Sequence, residues 1–183
     1  QITHFYLYCF NILNMSNSKR LFDFIYQQQE NFPQEKCYVF KKENNWKSIS
    51  TQQFLEQANI ASRALLNLGI KPNDKIAVIS SNNRLEWHVL DIGALQIGAQ
   101  NVPLYPTLAE KDYEYIINHS DAVYCFVSDK ELLSKVTAIK EKTQLKGVFT
   151  FDEINVKTNW KTFLKLGKSE GNQSLVEALK KAV

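Results

Sequence analysis

Apolar and polar positions along this chain follow two rhythms, and from Lys36 onward the chain switches repeatedly between them. Cys37-Tyr38-Val39-Phe40 is a short β-prone run, Lys41 to Asn45 is a polar turn, and Trp46 to Ile49 is a second such run, so a hairpin is expected. Ser50, followed three residues later by Gln53, matches the reciprocal side-chain cap that opens a helix. Phe54, Ala58, Ala61, Leu65 and Leu68 then recur on one helical face until Gly69 and Pro72 end it.

The alternation continues. Lys75 to Ser80 is a continuous apolar strand of the kind buried on both faces of a parallel sheet. Ser81-Asn82-Asn83 forms the turn after it, with Ser81 or Asn82 expected to cap a helix from Leu85 to Ile97 that is apolar nearly all round and stops at Gly98. Gln100 to Val102 reads as a short strand that Pro103 and Pro106 should prevent from pairing further. Ala109 to Asn118 predicts a helix, Ala122 to Val127 a buried strand, Lys130 to Lys142 a helix capped by Asp129, and Gly147 to Phe151 a last strand. Two helical stretches follow, Trp160 to Leu166 and Leu175 to Ala182, joined by a polar linker over Gly167 to Gln173. The class this predicts is α/β: successive βα units, with parallel strands joined by helical crossovers.

Composition narrows the picture without changing it. Of the 183 residues, 44% are hydrophobic and 22% charged, which suits a globular protein and argues against disorder throughout. The net charge of +3 comes from scattered lysines with no basic block, so nucleic acid is not an expected partner. Cys9, Cys37 and Cys125 are widely spaced and outside any metal-binding pattern; Cys125 sits in an apolar strand and reads as a buried thiol in a reducing compartment. Gln1 to Asn14 carry no Asp, Glu, Lys or Arg, are too short to span a bilayer and lack the basic start of a secretory signal. Met15, the one methionine, is the expected translation start, with residues 1–14 a non-native or unstructured extension; a membrane-surface anchor is the rival reading, disfavoured by the missing cationic face.

Candidate chemistry is sparse. His88 and His119 have no neighbouring nucleophile and acid in the pattern of a triad, and His88 falls on the apolar helix as a packing residue. Glu86 and Asp91 lie five apart and face different ways on a helix, so they form no paired-carboxylate site; one of them is free to pair with Arg84. Trp87 reads as core, with the lining of an apolar tunnel as the alternative. Pro103-Leu104-Tyr105-Pro106-Thr107 is the first place to look for a functional contact, because sites in α/β folds gather at irregular segments after buried strands, although a structural turn explains it too. The six glycines are isolated and form no phosphate-holding loop. No catalytic, cofactor-binding or metal-binding residue is assigned.

One longer stretch has a recognisable order. Asn82-Asn83-Arg84-Leu85-Glu86-Trp87, an apolar helix, Gly98-Ala99 and then Val102-Pro103-Leu104-Tyr105-Pro106-Thr107 resemble the early core of long-chain fatty-acid–CoA ligases of the adenylate-forming family. Leu68-Gly69-Ile70-Lys71-Pro72-Asn73-Asp74-Lys75-Ile76-Ala77-Val78 is similar to the segment before that core, and Trp160 to Gly167 to one shortly before the family's ATP loop. The likeness runs in one order over residues 20–183. It implies residues 15–183 as part of an amino-terminal AMP-binding domain with an incomplete sheet, the ATP loop and carboxy-terminal lid falling beyond Val183. For the complete enzyme it implies ATP, Mg²⁺ and CoA as cofactors, a fatty acid as substrate, and acyl-adenylate followed by acyl-CoA formation. This chain alone is expected to bind none of the cofactors and to be inactive. The resemblance also implies a cytoplasmic place, including the cytosolic face of an intracellular membrane. Two other readings stay open: a non-catalytic binding or interaction module derived from the fold, and a fragment of another adenylating enzyme.

Overall fold

The computed structural model describes residues 20–42 and 44–183. Cys9, the stretch 1–14 and the start expected at Met15 lie outside the described residues. The chain clusters into two compact units, the first ending at Leu55 and the second running from Glu56 to Val183.

The first unit holds helix α1 (Leu21–Asn31), strands β1 (Tyr38–Lys42) and β2 (Asn45–Ile49), and the opening turn of helix α2 (Thr51–Asn67). Helix α1 was not expected from the sequence. Its N-cap is Arg20, a residue with no capping oxygen, and the Asp23 carboxylate reaches back to accept from the Arg20 backbone N–H at 3.0 Å and from its guanidinium at 2.8 Å. The expected hairpin forms, antiparallel and in register from Tyr38↔Ile49 to Lys42↔Asn45, with Asn44 in the left-handed conformation at φ 61°. The Ser50–Gln53 cap is also present: the Ser50 N–H donates to Gln53 Oε1 at 2.9 Å and the Gln53 N–H to Ser50 Oγ at 3.2 Å.

The second unit carries most of α2 and then β3 (Lys75–Ile79), α3 (Leu85–Gln96), β4 (Gln100–Leu104), α4 (Glu110–Ser120), β5 (Ala122–Val127), α5 (Lys130–Ile139), β6 (Gly147–Thr150), α6 (Trp160–Leu166) and α7 (Gln173–Ala182). Helix α2 ends as expected at Gly69, whose φ of +83° lets the Ile70 N–H return to Leu65 O at 3.0 Å. The strands form one parallel sheet in the order β4-β3-β5-β6. Alternation along the strands splits the core in two. Ala77, Ile79, Cys125, Val127 and Val148 meet Tyr113 and Ile117 of α4 and Leu132, Val136 and Ile139 of α5. On the other face Phe126, Phe149 and Phe151 pack against Trp160 and Phe163 of α6, the Phe126 and Phe163 rings crossing edge-to-face at 5.0 Å. Both faces of the sheet are thus covered; its outer strands are β4 and β6, and the Thr150 N–H at the end of β6 donates to the Thr158 carbonyl at 3.0 Å.

Three local expectations need correction. Strand β4 does not stop at Val102: Pro103 and Leu104 continue it opposite Val78 and Ile79. The strand lies at the sheet edge, where a missing N–H is tolerated. Helix α3 is not capped by Ser81 or Asn82; its N-cap is Arg84, whose side chain makes no cap bond. Gly167 to Gln173 is not a free linker. Gly167 lies so close to α2 that a Cβ there would stand 1.9 Å from the Ile60 carbonyl oxygen. Its own carbonyl accepts from Arg63 Nε at 2.7 Å, and Arg63 also donates to Gln173 Oε1.

Candidate active-site edge

In an open parallel sheet the loops leaving the carboxyl ends of the strands diverge where the strand order reverses, and ligands settle there. In this chain the reversal flanks β3, which leads first to β4 on one side while β5 follows on the other. The residues just past β3, β5 and β6 converge in one polar network.

Arg84 is its hub. Its Nη1 donates to the Ser128 carbonyl and to Asp152 Oδ1, both at 2.9 Å, while Nε and Nη2 engage the two oxygens of Glu86 at 3.0 and 3.2 Å. The guanidinium also lies over the Phe151 ring, 5.4 Å from its centroid. Burial alone lowers the affinity of this side chain for its proton, but the ion pairs with Glu86 and Asp152 outweigh it and hold the guanidinium above its ordinary range. Asp129 anchors the second half. It caps α5 by accepting from the Leu132 N–H at 3.0 Å, and it takes the hydroxyls of Ser128 at 2.7 Å and Ser81 at 2.9 Å. Partial burial pushes the Asp129 carboxyl up, yet the donors from Leu132, Ser128 and Ser81 together hold it below the usual carboxylate range. Ser81 and Asn82, expected as caps, serve otherwise: Ser81 bridges to Asp129, and the Asn82 carbonyl accepts from Ser80 Oγ at 2.7 Å.

The segment Pro103 to Thr107 leaves the carboxyl end of β4, so it lies on this same edge of the sheet. The fully buried Tyr113 donates its hydroxyl to the Tyr105 carbonyl at 3.0 Å, and the Tyr105 side chain is 77% exposed. The other tempting residues are spent elsewhere. Glu86 pairs with Arg84, and Asp91 accepts from Asn101 Nδ2 on β4 at 2.9 Å, so the two carboxylates do face apart. His88 packs at a right angle to the half-buried Trp87, and burial, only partly offset by Asp91, lowers its pKa. His119 stacks on Tyr115 on the exposed side of α4, on another helix. Cys125 is fully buried and its thiol is pushed far up by desolvation. Among the described residues no three His, Cys, Asp or Glu side chains cluster as a metal site, and no helix is long and apolar enough to cross a membrane.

A network of this kind orders loops; it does not grip phosphate. The one guanidinium is taken by two carboxylates, Glu86 and Asp152, and both serine hydroxyls are donated to a third, Asp129. The residues present therefore do not fit the triphosphate of a nucleotide, which needs free N–H donors and cations.

Comparison with known proteins places this edge in a larger frame. The AMP-binding enzyme family matches residues 25–178. The chain belongs to that family. It is similar to the amino-terminal part of long-chain fatty-acid–CoA ligases. The ligase ACSBG2 of Xenopus laevis is 27% identical over 134 residues, which is 70% of this chain and 18% of the relative. Fatty acyl-CoA synthetase A of Dictyostelium discoideum is 31% identical over 113 residues, 62% of this chain and 16% of that one. Among solved structures, a long-chain-fatty-acid-CoA ligase (FadD1) from Archaeoglobus fulgidus superposes with a TM-score of 0.69 at 22% identity, over 83% of this chain and 30% of that one. An anthranilate CoA ligase, AuaEII, in complex with anthranoyl-AMP, gives 0.68 at 18% identity over 80% and 27%. At such identity these two establish the shared fold. The chain spans about a fifth of the length of the curated relatives it matches.

Arg84, Asp129 and Asp152 as a joined network were missed in the sequence. Arg84 and Asp152 are 68 positions apart, and only the parallel order of β3, β5 and β6 brings them together.

Proposed function

We propose that this chain forms the amino-terminal scaffold of a long-chain fatty-acid–CoA ligase and does not carry the reaction alone. One observation carries the reading: the AMP-binding match runs over nearly the whole chain, while the chain spans only about a fifth of its relatives. In the complete enzyme the fatty-acid carboxylate attacks the α-phosphate of ATP, pyrophosphate leaves, and the CoA thiol then displaces AMP, with Mg²⁺ screening the phosphates. The neutralised Arg84 network supplies no cation for that charge, so the nucleotide is held by parts of the longer protein. What this chain contributes is an ordered carboxyl edge, with Arg84 and Asp129 fixing the loops after β3, β5 and β6.

The test is ATP–pyrophosphate exchange driven by palmitate, run on the 183-residue chain and on the longest product of the same transcript. Exchange by the longer product alone is expected. Exchange by the 183-residue chain overturns the scaffold reading, and a longer product that responds to amino acids but not to fatty acids moves it to another adenylating class. A second reading, a non-catalytic interaction module, draws on the covered sheet faces. It gains if the transcript ends after Val183 and the chain accumulates in cells as a stable, monodisperse protein.

A further inference from the structure

We draw no further inference here: the strongest candidate, the exposed Tyr105 ring on the turn that Tyr113 clamps at the carboxyl end of β4, carries nothing because nothing in the structure shows what covers it.

Discussion

On one face of the sheet the packing is aliphatic and local: Ala77, Ile79, Val127 and Val148 lie under α4 and α5, the crossover helices that lead from β4 to β5 and from β5 to β6. On the other it is aromatic and reaches farther along the chain, because Phe126 and Phe149 are closed over by Phe163 and Trp160 of α6, which follows the last strand. A face closed by its own crossovers is complete once the βα units form. The aromatic face has to wait for α6, and α6 in turn is fixed by Gly167 against α2. Edge-to-face ring pairs add about 0.5–1.5 kcal/mol each beyond the area they bury, so this face should be the costlier one to breach.

The largest effect is therefore expected from Phe163→Ala, which empties the centre of the aromatic cluster around a side chain with no exposure. Its cost should fall at about 3–5 kcal/mol. Ile117→Ala, equally buried on the aliphatic face, should cost about 2–5 kcal/mol, with the smaller deletion placing it lower. Urea unfolding of the two variants measures the difference, and an Ile117→Ala loss larger than that of Phe163→Ala would break the contrast.

The next step down compares two close approaches to α2. At Gly167 the backbone is ordinary, with φ −95°, so any penalty for a side chain is one of space; a Cβ would lie 1.9 Å from Ile60 O and 2.8 Å from Ala64 N. At Gly93 the nearest atoms are Ala61 Cβ at 2.9 Å and Ala58 O at 3.0 Å. Gly167→Ala should cost about 3 kcal/mol and Gly93→Ala about 1 kcal/mol, the range overpacking commonly spans. Protection of Trp160 and Phe163 amides from hydrogen exchange should fall in the first variant and hold in the second.

The aliphatic face was the more readable of the two in the sequence, and the reason is range. Ala77 to Ile79 and Ala122 to Val127 announce themselves as buried strands by unbroken apolar runs, and the Ser50–Gln53 cap and Gly69 stop are written within a few residues. What failed to show is whatever needs a partner from far away. Helix α1 was missed because its amino-terminal support is the unusual Arg20–Asp23 pair in place of a capping hydroxyl or amide. Gly167 looked like linker because nothing nearby says that Ile60 lies against it. Pro103 looked like a strand breaker because its place at a sheet edge is a fact of topology. The carboxyl-edge network was illegible for the same reason, apart from Arg84 with Glu86, two positions apart and foreseen as a possible pair.

The smallest expected effect lies where the two faces meet, at Asp129, and it can be separated by pH. Three kinds of bond end on this carboxylate, the α5 cap and the hydroxyls of Ser81 and Ser128. Asp129→Ala should cost about 1 kcal/mol at neutral pH, as the loss of an N-cap commonly does. Because the folded carboxyl is held below its unfolded value, its extra stabilisation is fully present above the unfolded pKa of about 4 and is lost as pH falls through the folded one. Asp129→Asn keeps a capping oxygen but has no charge to titrate in that window. The asparagine chain should therefore hold most of its neutral-pH stability and lose less than the parent between neutral pH and the acid range below 4. Urea midpoints at the two pH values give the answer. Equal acid losses in the parent and in Asp129→Asn would mean that the hydroxyl and cap bonds act as a geometric tie between β3 and β5 that the charge does not strengthen.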